Sequence, residues 1–403
     1  MSLRRRALLA AAGTGLASCA WAQGTAPKPL RIGVLTDMSG PFSANTGAAS
    51  VAAARFAIED FGGSVLGRKI ELISADHQNK PDIAAATASE WFDREGVSVA
   101  ADLVNSSVAL AVMDVARNRG KLSFVAGSGS TTITNENCTR NNVQWVYDSY
   151  ATANTVARSL IAEGKSSWFF VTADYAFGLS TEQDARRIVQ AAGGKVLGSV
   201  RHPPNATDFA SYLLEAQASG AQVIALASAG AASVNAAKQA AEFGLTGKVA
   251  LVSLGLVIND VQAIGLDAAQ GMYLSEGFYW DQSPATRAFA ARFMAAVSKP
   301  PNMVQAGLYS GITHYLKAVA AAGNDKADEV MARMRATPVE DAVTHGGIVR
   351  ADGLMVHDML LLQVKTPAQS RSTWDLFNVV KTVPGNQAFL SAADSRCKTF
   401  SAK

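Results

Sequence analysis

An α/β fold of two doubly wound lobes joined by three crossings is the class this sequence predicts. Three observations carry that expectation. Short apolar runs alternate with helix-length segments through the first third of the chain. The same rhythm restarts near residue 150. A later group of helices, followed by a β-rich end, then needs sheets that its own neighbours do not supply. At 403 residues, 49% hydrophobic and 17% charged, the chain is globular and too long for one ordinary core. Its 33 glycines suit many tight strand-to-helix turns.

The first 22 residues read as a targeting leader. Arg4, Arg5 and Arg6 form a positive start, Ala7 to Ala17 an apolar stretch too short to span a bilayer, and Ala20-Trp21-Ala22 a small-x-small cleavage site. Release after Ala22 into the periplasm is expected. Leu16-Ala17-Ser18-Cys19 also resembles a lipoprotein box that would anchor the chain at Cys19, and Arg5-Arg6 weakly resembles a twin-arginine signal. Loss of residues 1–22 removes three arginines and no acid, so the formal charge of +3 falls to zero. Without a basic run elsewhere, no nucleic-acid partner is expected. Past residue 22 only Cys138 and Cys397 remain. In an oxidising compartment a disulfide tying the tail to the body is expected, with two separate buried thiols as the other reading.

In order, Leu30 to Asp37 reads as a buried strand. Helix Gly47–Phe61, strand Lys69–Ala75, helix Asp82–Arg94, strand Val97–Val104, helix Val108–Arg119 and strand Lys121–Ala126 follow. The second set runs from helix Thr152–Glu163 through strands Ser167–Thr172, Lys195–Val200, Gln222–Ala227 and Lys248–Ser253 to strand Gly271–Tyr279. Helices near Pro284–Val297, Val304–Ala322 and Lys326–Arg335 come next, then strand-like Met355–Val364 and Trp374–Val380. Crossings are expected near Asp148, Phe278–Trp280 and Gly346–Arg350. They give a first lobe of 28–148 plus 279–348 and a second of 149–278 plus 349–403, whose tail is free to return to the first. Ligands of open α/β sheets lie beyond the carboxyl ends of strands, so function is expected in the loops there.

Two such loops are rich in small polar residues: Asn105-Ser106-Ser107, and Gly127-Ser128-Gly129-Ser130-Thr131. Both lead into helix starts, where free N–H groups and hydroxyls suit a carboxylate. Helix capping alone is the plainer reading of either loop; two in neighbouring positions favour a site. In the second set, Asp174-Tyr175-Ala176-Phe177-Gly178 suits one wall of an apolar pocket with a polar tip. Tyr147, Asp148 and Tyr150 at the first crossing, and Phe278, Tyr279 and Trp280 at the second, either line the cleft or pack the hinge, with packing favoured for Trp280.

Catalysis has no visible candidate. Gly164-Lys165-Ser166 precedes a strand rather than a helix and is no phosphate loop. No Gly-x-Ser-x-Gly elbow or His-Glu-x-x-His pair occurs, which disfavours a hydrolase or dehydrogenase. His77, His202, His314, His345 and His357 lack metal-ligand spacing, so neither metal nor cofactor is expected.

Ile32-Gly33-Val34 with Met38-Ser39-Gly40-Pro41, the Asn105-Ser106-Ser107 loop and the Asp174 to Gly178 segment together resemble the type I periplasmic binding proteins of ABC importers. The leucine/isoleucine/valine-binding family and its aromatic-compound branch are the nearest. The resemblance spans essentially the whole chain past the leader. It implies a monomeric clamshell working with an inner-membrane ABC permease. Ser106, with Asn105 and Ser107, would hold the ligand carboxylate; Ser128 to Ser130 would help, and Tyr175 would close from the other lobe. Amino-acid binders of this family also place an acid after a later strand, where Ser253-Leu254-Gly255-Leu256-Val257 is apolar here. Leu254 is thus expected to face an apolar or aromatic body, unless Asp148 or Asp174 replaces the missing acid, since a buried ammonium must be paired. The expected function is capture of a hydrophobic or aromatic carboxylate. Branched-chain amino acid binding, or sensing for a signalling receptor, are the alternatives.

Overall fold

The computed structural model describes residues 27–399; the leader, with Cys19 and the paired arginines, lies outside the described residues. The first sheet is built from β1 (Leu30–Thr36), β2 (Ser64–Val65), β3 (Arg68–Asp76), β4 (Val97–Asp102), β5 (Leu122–Val125) and β6 (Asn142–Gln144), in the order β2-β3-β1-β4-β5-β6. All pairs are parallel except the β2–β3 hairpin. Every residue of β4 is buried, as a parallel strand covered on both faces requires. Helices α1 (Gly47–Asp60), α2 (Pro81–Glu90) and α3 (Ser106–Asn118) link these strands.

The second lobe begins with α4 (Ser149–Ala162). It continues β7 (Ser167–Ala173), α5 (Ala176–Ala191), β8 (Lys195–His202), α6 (Ala210–Ala218), β9 (Val223–Ala227), α7 (Gly230–Glu242) and β10 (Ala250–Ser253), then the short α8 (Ile258–Ile264) and α9 (Leu266–Ala269) before β11 (Tyr273–Glu276). The chain then gives α10 (Pro284–Val297), α11 (Met303–Ala322) and α12 (Ala327–Ala336), which pack on the first lobe. Leu308, Ile312 and Tyr315 of α11 share a core with Ile32, Phe124 and Trp145. Gly311 makes that approach possible, because a Cβ there would lie 1.7 Å from the Phe124 ring.

Strands β12 (Val339–Glu340), β13 (His345–Val349) and β14 (Met355–Val356) form a small antiparallel ribbon, and β15 (Met359–Val364) and β16 (Phe377–Val383) complete the second sheet. Its order is β16-β15-β11-β10-β9-β7-β8, parallel except for the antiparallel pairs made by β15. The turn α13 (Gly385–Ala388) follows.

The chain passes between lobes at 145–148, 277–283 and 357–358. The third passage lies beyond the expected Gly346–Arg350. The β-rich pattern there belongs to the ribbon, which stays with the first lobe: Leu354 bridges Gln144, and Val349 and Met355 join the first-lobe core. His357 Nε2 donates to Val146 O at 2.7 Å, so the first and third passages are tied together. Two further differences have local causes. β4 stops at Asp102 because Asp102, Leu103 and Asn105 all take positive φ. The helix expected to Arg94 ends at Glu90 in a π-turn, Trp91–Glu95, that lays Trp91 against Gly33.

Cys138 and Cys397 are joined as a disulfide. Around it Arg396 N donates to Asn135 Oδ1 at 2.8 Å and Thr399 Oγ1 to Cys138 O at 3.2 Å, so the tail rests on the first lobe.

Candidate functional site

The two lobes face each other across a narrow slot of about 30 Å³ at the carboxyl ends of β1, β4 and β5 and their counterparts β7, β9 and β10. Asn105, Ser106, Ser128, Gly129, Tyr175 and Phe177 line it together. Asn105 caps α3: Oδ1 accepts the Ser107 N–H at 2.8 Å, while Nδ2 donates to Asn79 Oδ1 at 2.6 Å. Each of its polar atoms thus makes one bond inside the protein, and Asn105 sets the direction of the helix start. Ser106, fully buried on the first turn, accepts the Ser130 N–H at 3.2 Å through its hydroxyl oxygen. Ser128 Oγ donates to Leu103 O, and Gln144 Nε2 holds Ser128 O at 3.0 Å. The small-residue loops are therefore fixed rather than loose.

The second lobe contributes an aromatic wall. Phe177 meets Tyr147 edge-on with ring centroids 6.5 Å apart, and Tyr175 at 6.2 Å. Burial pushes both tyrosine hydroxyls above their ordinary range, so each remains a neutral phenol. Gly129 admits this stack, since a Cβ there would sit 2.3 Å from Tyr147 and 2.9 Å from Phe177. Gly255 is equally constrained: a Cβ would lie 2.4 Å from Ser228 O. Within the apolar Ser253–Val257 stretch after β10, position 255 therefore has no room for a side chain.

Six expected residues lie elsewhere. Ser107 only supplies its N–H to Asn105. Ser130 is fully buried and turns its hydroxyl to Thr132. Asp148 caps α4 through the Ala151 N–H at 2.7 Å, and burial raises its carboxyl to about 7. Tyr150 and Leu254 pack on the outer core of the second lobe, and Tyr279 packs on Phe377 with ring centroids 5.5 Å apart. Side-chain direction at a crossing is set by the neighbouring sheet, which local sequence does not reveal. Asp174, the other acid considered, is exposed beside Arg201.

The structure adds Phe42, Asn45, Thr46, Val104, Gly127, Ala229, Val257 and Val304 to the lining. Tyr147, left between cleft and hinge by the sequence, lines the slot. Among the described residues, no acidic or basic side chain and no histidine does. The nearby acids are sealed off: burial raises Asp260 to about 6, against opposing hydrogen bonds from the Val257 N–H and Asn45, and raises Glu276 well above the ordinary carboxylate range.

Two polar clasps flank the slot. On one side Ser149 Oγ donates to Asp184 Oδ2 at 2.7 Å, Thr131 also bonds that oxygen, and Arg187 pairs with Oδ1 at 2.6 Å. On the other, Asn45 Nδ2 lies 2.9 Å from both Asp260 oxygens, and Asn302 Nδ2 donates to Asn259 Oδ1 at 2.7 Å. Each clasp joins the lobes, so the form described is closed.

Among the described residues no helix is long and apolar enough to cross a membrane, and no group of His, Cys, Asp or Glu is placed to hold a metal. The family described as periplasmic binding protein matches residues 29–371. A periplasmic binding protein of Burkholderia mallei superposes with TM-score 0.90 and 44% identity, covering 93% of this chain and 99% of its own. A protein of Burkholderia xenovorans, named as a branched chain amino acid ABC transporter periplasmic ligand-binding protein, gives 0.83 and 40%, covering 92% and 99%. A Leu/Ile/Val-binding protein homolog of Brucella melitensis is 25% identical over 304 residues, 74% of this chain and 77% of its own.

Proposed function

This chain belongs to the periplasmic binding protein family, and we propose that within it the protein captures a small carboxylate with an apolar or aromatic body for an ABC permease. The observation that carries this reading is the make-up of the slot: a buried serine on a helix start at one wall, aromatic and aliphatic side chains around it, and no charged side chain. A helix start and hydroxyls stabilise an anion without a counter-ion. An ammonium would leave water with no acid to receive it, a loss of several kcal/mol. The protein does no chemistry on its ligand in this reading; it binds and releases.

A slot of about 30 Å³ is far below the several hundred Å³ usual for organic ligands, so the ligand is admitted with the lobes parted and held in a form wider than this one. Opening must break both clasps, and the ligand contributes the contacts that replace them. Export through the residue 1–22 leader and action as a monomer belong to the same reading.

A second reading, branched-chain amino acid capture, is favoured by the name of the 40% identical relative. Titration calorimetry separates the two. Benzoate and phenylacetate are expected to bind more tightly than leucine, isoleucine or valine; tight leucine binding with no aryl carboxylate binding would overturn the proposal.

A further inference from the structure

Glu276 ends β11, immediately before the passage at 277–283, and is 1% exposed. Its carboxyl accepts two backbone N–H groups. One comes from Ile258, the first residue of α8 in the second lobe, and the other from Met303, the first residue of α11 on the first lobe. One side chain thus joins two helix starts that belong to different lobes. The chain neighbours of those residues, Val257 and Val304, line the slot, so the joint lies directly behind its wall. Glu276 Oε1 is buried and has no hydrogen-bond partner among the described residues. Such an oxygen costs far more on an ionised carboxylate than on a neutral acid.

The surroundings do not offset that cost. From α8 the charged group acting on Glu276 is Asp260, another acid. Lys299, ahead of α11, sits against Asp260 and donates to Ala44 O. Tyr279, on the passage itself, is kept neutral by burial and packs on Phe377. Asn302 and Gln305 at the start of α11 carry no charge. Burial, with Asp260 adding to it, outweighs the two N–H groups and holds Glu276 well above the ordinary carboxylate range. Parting the lobes takes Met303 away from Ile258 and lets water reach the bare oxygen. The burial is then relieved, and ionisation becomes easy.

We propose that Glu276 is a proton-dependent catch: the empty protein takes up a proton there as it closes and releases it as it opens, so rising pH parts the lobes. This goes beyond the choice of ligand and does not rest on it. By linkage, a carboxyl raised only in the closed form favours closure fully below its open-form value. That preference fades as pH climbs towards the closed-form value, by up to about tenfold per pH unit for one proton.

The test is small-angle scattering of the ligand-free protein from pH 5 to pH 9, on wild type, Glu276→Gln, Asp148→Asn and Asp260→Asn. The wild-type radius of gyration is expected to grow with pH. Glu276→Gln, neutral at every pH and still able to accept both N–H groups, is expected to stay compact at pH 9. Asp148→Asn, which removes the raised carboxyl of the first passage, should open as the wild type does. Asp260→Asn should still open, but at lower pH, because the facing acid no longer adds to the burial. A wild-type radius independent of pH, a response that survives in Glu276→Gln, or one lost with Asp148 or Asp260 overturns the catch and leaves the ligand reading untouched. Should Glu276→Gln not fold, the direction of the Asp260→Asn shift decides.

Discussion

The hydroxyl oxygen of Ser106 accepts the backbone N–H of Ser130 at 3.2 Å, tying together the two small-residue loops that end β4 and β5. An accepting hydroxyl keeps its own proton for another partner, and Ser106 lines the slot. Ser106→Ala is therefore expected to weaken carboxylate binding about 10- to 100-fold, the value of a charge-assisted hydrogen bond of roughly 1.5–3 kcal/mol. Calorimetry with benzoate reads the loss; a thermal melt within a few degrees of wild type separates it from unfolding.

Gly129→Ala should abolish closure without unfolding the lobes. The new Cβ would stand 2.3 Å from Tyr147 at the first passage between lobes and 2.9 Å from Phe177 of the second lobe. A side chain there holds the halves apart rather than opening a void in either core. Small-angle scattering is expected to show a larger radius of gyration, and titration a large loss of affinity.

Removing the Cys138–Cys397 bridge by a double serine substitution should lower stability by about 2–4 kcal/mol, since it closes a sequence separation of 259 residues. Denaturant unfolding measures this. Ligand affinity should hardly change, because neither cysteine lines the slot.

Stability should fall as pH rises from about 6.5 to 8. Below that range the buried His77, His202, His314 and His357, all held under their ordinary value by burial, act in the opposite sense. Burial raises Asp148 to about 7 and Asp102 and Asp260 to about 6, all above the ordinary carboxylate value. A carboxyl whose folded pKa is raised gives its full contribution below its unfolded pKa and loses it as pH climbs through the folded one. Carboxylates held low act in the opposite sense only near pH 4 and below. Asp325 is one, where hydrogen bonds from Arg68 and Ser98 outweigh the upward push of burial. Asp148→Asn keeps the α4 cap and should raise the melting temperature at pH 8 but not at pH 5. A flat melting profile in the wild type would contradict this.

The fold was legible because strand and helix periods are local properties: the boundaries of α10, Pro284–Val297, agree with the sequence to the residue, with Ser283 capping and Pro284 opening the helix. The loops around Ser106 and Ser128 were legible because small polar residues after buried strands have few structural uses. Asn45 was not, because its meaning depends on Asp260, 215 residues later. Tyr279 misled because an aromatic at a crossing has two sheets to choose from, and here it chose Phe377. The apolar Ser253–Val257 stretch was informative as an absence, and at Gly255 within it a side chain would clash with Ser228 O.

A polypeptide is synthesised amino end first, and this one then has an awkward wait. The face of the β1–β6 sheet that will lie beneath α11 and α12 stays bare until those helices arrive more than 150 residues after β6. Until then Ile32, Phe124 and Trp145 present an oily surface to water, inviting self-association or the attention of a holding chaperone. Neither half is one contiguous stretch, so cutting the gene at a lobe boundary yields no independent module.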